Sequence, residues 1–400
     1  MKSLTRGLVA ASALALAMAG CAAPEQQSGG GSGGGGNDGG STGGGDVIKV
    51  GVNIELSGPA AVQGAAYQNA VQLIADQINA NGGVDGKDLE LVIRDNKSDP
   101  TEALQVAKGM IENDGVVAMV GGGSSPTTLS LVDYVEEEGV PIVSMGSSGA
   151  IVSPPEDRTF IYKTPANTDQ IVDVMVEDFA KRGVETVGFI SVDNPYGDAG
   201  LAAFQAAAGA GEVNLVGTEK FQAEDRDYTS IVTKLLGSNP DAIVVWSIPP
   251  GAGIVAKNVK AAGYDGQLYF DAGAGAELFL RGAGAAAEGV LMIHPAVLVA
   301  DEVQDAPNTD VMQEFYSSYT EEYGEFSGFA SYAADALGMI VAAIEEAGEA
   351  DRTAIRDALE ELEYTGITGE YSMSSEDHGG LSTDALAVLT VESGEWALAK

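Results

Sequence analysis

The sequence predicts an α/β protein built as two doubly wound parallel-sheet lobes. Three observations carry that expectation. Strand-like and helix-like segments alternate along the chain, the signature of βαβ units that place helices on both faces of a parallel sheet. The alternation restarts after Lys163-Thr164-Pro165. The 355 positions from 46 to 400 are more than one hydrophobic core usually serves.

The first segment is not part of that alternation. Lys2 and Arg6 precede an apolar stretch over 8–19, too short to span a bilayer, and Ala19-Gly20 lead into Cys21, the only cysteine. This resembles a bacterial lipobox, with Met18 where leucine is usual. The resemblance implies a signal peptide over 1–20 and lipidation of Cys21. A lone thiol has no disulfide partner within its own chain, so lipidation also gives it a use. Residues 22–45 are almost entirely Gly, Ser, Asn, Asp, Gln and Thr. Such a segment has nothing to bury and reads as a flexible tether, with a mean reach of roughly 25–30 Å.

The first lobe begins with a buried strand over 47–54 and an amphipathic helix over 64–81 that stops at Gly82-Gly83. A strand over 89–95 follows. Asp99-Pro100-Thr101-Glu102 then opens a helix with a cap, a proline at the first helical position and a capping-box glutamate. A strand over 116–120, a helix from Pro126 and a strand over 142–145 continue the series. In the second lobe helices are expected over 168–182, 196–208, 228–236 and 251–262, with strands over 186–192, 213–221, 242–247 and 267–270. Beyond Val290 three helical stretches, 311–323, 332–347 and 352–362, leave that series, and short strands around Tyr371 and over 387–391 close the chain.

Charge and motif content narrow the function. The formal net charge is −39, and −41 once Lys2 and Arg6 leave with the leader. Such a surface repels phosphate backbones and anionic lipids, so nucleic acid is not an expected partner. It reads as a solubilising exterior or as adaptation to high salt. After residue 45 no uncharged apolar run is long enough to span a membrane. The two histidines, His294 and His378, are far apart, and the H-E-x-x-H, C-x-x-C, calcium-loop, G-x-S-x-G and P-loop patterns are absent. No metal, cofactor or catalytic activity is therefore expected.

Polar residues after strands point to a binding site instead. Ligands of open α/β sheets sit beyond the carboxyl ends of the strands. After Val120 come Gly121-Gly122-Gly123-Ser124-Ser125-Pro126, with Ser125 expected as N-cap, and after the next strand Gly146-Ser147-Ser148-Gly149. Hydroxyls and free backbone N–H groups in two neighbouring loops suit a carboxylate. Trp246, at a strand end, is a candidate aromatic wall or a core tryptophan. Tyr332 is expected to line the cleft or pack in the core, His294 to sit at a hinge or touch the ligand, and His378 to lie in a surface turn.

Ile48-Lys49-Val50-Gly51, Leu56-Ser57-Gly58-Pro59, 78–87, Asp95 with Asp99-Pro100, 121–125, 136–141 and Tyr196-Gly197 together resemble solute-binding lipoproteins of the leucine/isoleucine/valine-binding type. The resemblance covers 47–400. It implies a type I periplasmic-binding fold with a three-crossover hinge near 163–165, 292–295 and 366–369. The first lobe would comprise 46–164 and 293–367, and the second 165–292 and 368–400. It also implies a monomer anchored outside the cell membrane that captures a small organic solute, a branched-chain or other amino acid or related carboxylate, for an ABC permease and ATPase. A lipid-anchored sensor of the same fold is the alternative. The family's carboxylate-binding positions fall on Ser125, with Ser124 beside it, and on Gly146, Ser147 and Ser148, and its second-lobe tyrosine on Tyr196. Two positions depart. Gln63 stands where the family has an aromatic residue. The acidic partner of the ligand ammonium falls near Gly273, leaving Asp271 as the nearest substitute. If Asp271 does not reach, the ligand is an amine-free aromatic or aliphatic carboxylate.

Overall fold

The computed structural model describes residues 47–400. The expected leader, Cys21 and the tether lie outside the described residues. Among the described residues no helix is long and apolar enough to cross a membrane.

The first sheet holds five parallel strands: β1 (Ile48–Ile54), β2 (Leu89–Asp95), β3 (Ala118–Gly121), β4 (Ile142–Ser144) and β5 (Ile161–Lys163), in the order β2-β1-β3-β4-β5. Its connections are α1 (Ala61–Ala80), α2 (Pro100–Gly109), α3 (Ser125–Leu129) and α4 (Val132–Glu138). Asp99 caps α2 as expected, its carboxylate accepting from the Glu102 N–H at 2.8 Å with Pro100 in the first turn. Ser125 is not the cap of α3. That position belongs to Ser124, and Ser125 is the first helical residue. The shift of one residue frees the Ser125 hydroxyl from the helix end.

The chain then crosses to a second sheet through α5 (Thr168–Arg182). Strands β6 (Thr186–Val192), β7 (Asn214–Phe221), β8 (Ala242–Trp246), β9 (Gln267–Phe270) and β10 (Leu291–Pro295) alternate with α6 (Pro195–Ala210), α7 (Thr229–Leu236), α8 (Gly251–Ala261) and α9 (Glu277–Ala283). After β10 come α10 (Thr309–Tyr323), α11 (Phe329–Ala347) and α12 (Arg352–Glu360), with α11 packed on α1 and against β3 and β4 of the first sheet. A small hairpin, β11 (Glu363–Thr365) and β12 (Glu370–Ser372), is tied to α11 by the Asp335 carboxylate. That carboxylate accepts from the Ile367 and Thr368 N–H groups and the Tyr371 hydroxyl. Finally β13 (Leu386–Glu392) and β14 (Glu395–Leu398) return to the second sheet, whose order is β14-β13-β10-β9-β8-β6-β7.

Both sheets are doubly wound, with one addition. β13 and β14 pair antiparallel at the edge beside β10, through a two-residue Ser393-Gly394 turn with both residues at positive φ. Strands β5 and β10 are absent from the sequence-based expectation, as are β11, β14 and α9. β5 is only three residues long, and the apolar run of β10 ends in His294-Pro295, which reads as a break.

His378 corrects the surface-turn expectation. It is buried, its ring stacks on Tyr162 with centroids 4.4 Å apart, and its Nδ1 lies 3.0 Å from the Ile161 carbonyl. The acidic and glycine neighbours signal a turn correctly, but the turn folds inward onto β5.

Candidate functional site

Each sheet has one place where successive connections leave in opposite directions, between β1 and β3 in the first and between β6 and β8 in the second. A crevice forms beyond the strand ends at such a switch point. The two crevices face one cavity of about 260 Å³. From the first sheet it is lined by Gln63 on α1, the Gly123–Pro126 loop after β3, and Gly146 and Ser147 after β4. From the second come Asn194 and Tyr196 after β6, Ser247 after β8, and Asp271 and Gly273 after β9. Pro165 and Ala166 at the first crossover, and Phe329 and Tyr332 at the start of α11, complete the wall.

The first wall is neutral at its surface and charged behind it. Gly122 takes φ +63, and a Cβ on Gly123 would fall 2.2 Å from Glu55 Oε2, so the loop needs glycine at both positions. Glu55 is fully buried. Its Oε1 accepts from the Ser124 N–H at 3.1 Å, the Thr127 hydroxyl at 2.6 Å and the Asn96 amide at 3.2 Å, while Oε2 has no partner. Burial raises the pKa of this carboxyl above its ordinary value. Since Thr127 gives its proton to Glu55, the Ser124 hydroxyl, 2.9 Å away, is the donor in the pair they form. Tyr67 donates to the Gly123 carbonyl at 3.1 Å, and Ser144 bridges the loops through the Gly122 carbonyl and the Gly146 N–H. The Ser125 oxygen accepts from the Ser148 N–H at 3.2 Å, which leaves the Ser125 proton free to donate. Gln63 is nearly buried, and its side-chain Oε1 is without a partner.

The second wall presents a carboxyl directly. Asn194 caps α6, its side chain accepting from the Tyr196 and Gly197 N–H groups at 3.0 and 3.1 Å, and this sets Tyr196 at the cavity edge. Asp271 Oδ1 accepts from the Ser247 N–H at 3.1 Å, and Oδ2 accepts from the Gly273 N–H at 3.0 Å and from the Tyr196 hydroxyl. Burial pushes the Asp271 carboxyl up to about 8 against these donors. The charged side chains in the lining are Asp193, Glu224 and Asp271, all acidic.

Of the residues singled out from sequence, the structure thus gathers Gln63, Ser124, Ser125, Gly146, Ser147, Tyr196, Asp271 and Tyr332 around the cavity. Ser148 is buried behind it and contributes its N–H to Ser125. Trp246 is not part of the wall. Its indole is fully buried against Phe189 and Phe204, and a Cβ on Gly200 would come within 2.5 Å of it, so this glycine makes room for the ring. His294 is buried away from the cavity beside Gly275 and Gly328, and burial lowers its pKa to about 4. Glu55, Asn194 and Ser247 are missing from the sequence-based site. Asn194 carried a signal, since an asparagine before Pro195-Tyr196-Gly197 is a helix-cap pattern.

A family profile described as periplasmic binding protein matches residues 47–395. The leucine-, isoleucine-, valine-, threonine- and alanine-binding protein of Pseudomonas aeruginosa is 26% identical over 81% of this chain and 85% of its own. The fold is similar to that of an extracellular ligand-binding receptor from Rhodopseudomonas palustris, with a TM-score of 0.83 at 27% identity, over 89% of this chain and 100% of that one. It is also similar to a branched-chain amino acid transporter substrate-binding protein from Streptococcus pneumoniae in complex with isoleucine. There the TM-score is 0.78 at 26% identity, over 89% and 99% of the two chains.

Proposed function

Because the chain belongs to the periplasmic binding protein family, whose members bind ligands outside the cytoplasm without chemical turnover, we propose that it captures a small α-amino acid for an ABC importer. The observation that carries this reading is the pairing of two unlike walls across one cavity. Ser125 and the Gly146-Ser147 loop offer hydroxyl and N–H donors to a carboxylate, and the Asp271 carboxyl, ordered by Tyr196, faces them as the partner of an ammonium. Asp271 thus takes the role that the family's acidic residue has near Gly273. The volume of the cavity suits a branched-chain or similarly sized amino acid. Lipidation at Cys21 and the Gly-rich segment after it fit a protein held outside the membrane, within reach of a permease.

Titration calorimetry with leucine, isoleucine, valine, threonine and their amine-free counterparts tests the reading. Tight binding of one or more amino acids, with at least tenfold weaker binding of the amine-free acids, supports it. Binding of amine-free acids alone overturns it.

The state of Asp271 favours that second ligand class as the alternative. With its carboxyl raised to about 8, it is protonated at neutral pH until a cation arrives, and a neutral acid donates a hydrogen bond equally well to a ligand hydroxyl or carbonyl.

A further inference from the structure

Lys163 closes the first sheet at the end of β5 and is fully buried. Its Nζ donates to three backbone carbonyls, those of Pro165 at 2.8 Å, Ala166 at 3.1 Å and Ser147 at 3.2 Å. All three belong to residues that line the cavity. No carboxylate of the described residues lies within salt-bridge distance of this ammonium. A buried charge without a counter-ion is costly to keep, so its position behind a carboxylate-suited loop calls for a reason.

The hydrogen bonds supply one. The Ser147 carbonyl and the Ser148 N–H are the two ends of a single peptide group. Lys163 pulls on the carbonyl end, and the N–H end donates to the Ser125 oxygen. The Ser125 proton is then the last member of a chain that starts at a full positive charge and ends in the cavity. Hydrogen bonds in series polarise one another, and more strongly in a low-dielectric interior. The cavity's own charged side chains are all acidic, and this buried ammonium sets a positive charge behind the carboxylate-suited loop.

We propose that Lys163 is the positioning residue that charges the carboxylate end of the cavity from behind. It acts through the Ser147–Ser148 peptide on the Ser125 hydroxyl and ties that loop to the crossover at Pro165-Ala166. The inference rests on the proposed amino-acid reading and adds to it the source of positive charge. Burial brings the Lys163 pKa down to about 7, with Asp169 on α5 and Asp377 in the turn before His378 opposing the shift. The Ser147 carbonyl also accepts from the Thr168 hydroxyl at 3.3 Å, and the Lys163 main-chain N–H donates to the His378 carbonyl. The ammonium therefore loses its proton within the neutral range, and the chain loses its charge with it.

The experiment is a calorimetric comparison of wild-type protein with Lys163→Met, Lys163→Arg and Ser125→Ala, each against the best-bound amino acid from pH 6 to pH 9. Lys163→Met is expected to bind at least about tenfold more weakly at pH 6. The ratio of wild-type to Lys163→Met affinity should shrink towards one by pH 9, because titration of Asp271 is common to both proteins and cancels. Lys163→Arg keeps its charge at every pH and should hold its advantage over Lys163→Met unchanged to pH 9. The wild-type to Ser125→Ala ratio should shrink over the same interval, and this holds the test open if Lys163→Met does not fold. Ratios that stay constant with pH, or a folded Lys163→Met variant that binds like wild type, overturn the proposal while leaving the amino-acid reading intact. Failure of the wild-type protein to bind any amino acid overturns both.

Discussion

The two walls of the cavity solve opposite halves of one recognition problem with opposite architectures. The wall on the first sheet shows hydroxyls and backbone N–H groups, and keeps its charges, Glu55 and Lys163, out of sight behind the loop. The wall on the second sheet puts a carboxyl at the cavity surface and surrounds it with N–H donors from Ser247 and Gly273. Both walls lie at the switch point of a doubly wound sheet, so the topology provides two equivalent crevices and the side chains make them different. A zwitterion is matched by such a pair; a ligand with a single charge uses only one.

Substitution of Asp271 breaks the comparison most severely. Asp271→Asn should lower the affinity for α-amino acids by about a hundredfold or more, since a desolvated ammonium is left without its counter-ion. Affinity for amine-free carboxylates should stay within a few-fold, as calorimetry will show. An equal loss for both classes would mean that the second wall does not discriminate.

The pH dependence is next in size. An ammonium selects the ionised form of Asp271, whose carboxyl is raised to about 8, whereas the proposed role of Lys163 requires the protonated form of a group lowered to about 7. Amino-acid affinity should therefore be greatest between about 7 and 8 and fall on the acid side by up to about tenfold per pH unit. Asp271→Asn should remove the acid limb. Stability of the unliganded protein has its own sign. The folded pKa of Asp271 lies above its unfolded value, so its contribution is fully present below the ordinary carboxylate range and is lost as the pH rises through about 8. Thermal unfolding with and without ligand across that interval separates the two effects.

Glu55→Ala sharpens the comparison from the other side. It removes the acceptor for Ser124, Thr127 and Asn96, and should cost about 2–4 kcal/mol of stability together with roughly tenfold in affinity for both ligand classes. Glu55→Gln, which keeps an acceptor oxygen, should come close to wild type in a thermal melt.

The smallest expected effect belongs to Gln63. Its unpaired amide should favour threonine over the isosteric valine, and Gln63→Leu should reverse that preference by a few-fold. Equal affinities in both proteins would mean that this amide does not reach the ligand side chain.

The first wall was legible in the sequence because glycines and serines directly after a buried strand are a local signal, and so was the Pro195-Tyr196-Gly197 helix start. What supports these loops was not. Glu55 follows β1 in sequence and reads as a surface acid. It is buried because Asn96 and Ser124, 41 and 69 positions away, close over it. Trp246 shows the matching limit: its place at a strand end was readable, but which way the indole turns depends on the space beside Gly200. Sequence periodicity reports the neighbours within an element, and burial between elements is decided elsewhere.

The antiparallel edge of the second sheet has a consequence for the making of the protein. β13 pairs with β10 across roughly a hundred intervening residues, and β14 follows it. During synthesis that sheet has an unfilled edge beside β10 until β13 and β14 emerge, roughly a hundred residues later. On the export route proposed above, such a delay favours a chain that crosses its membrane before it folds.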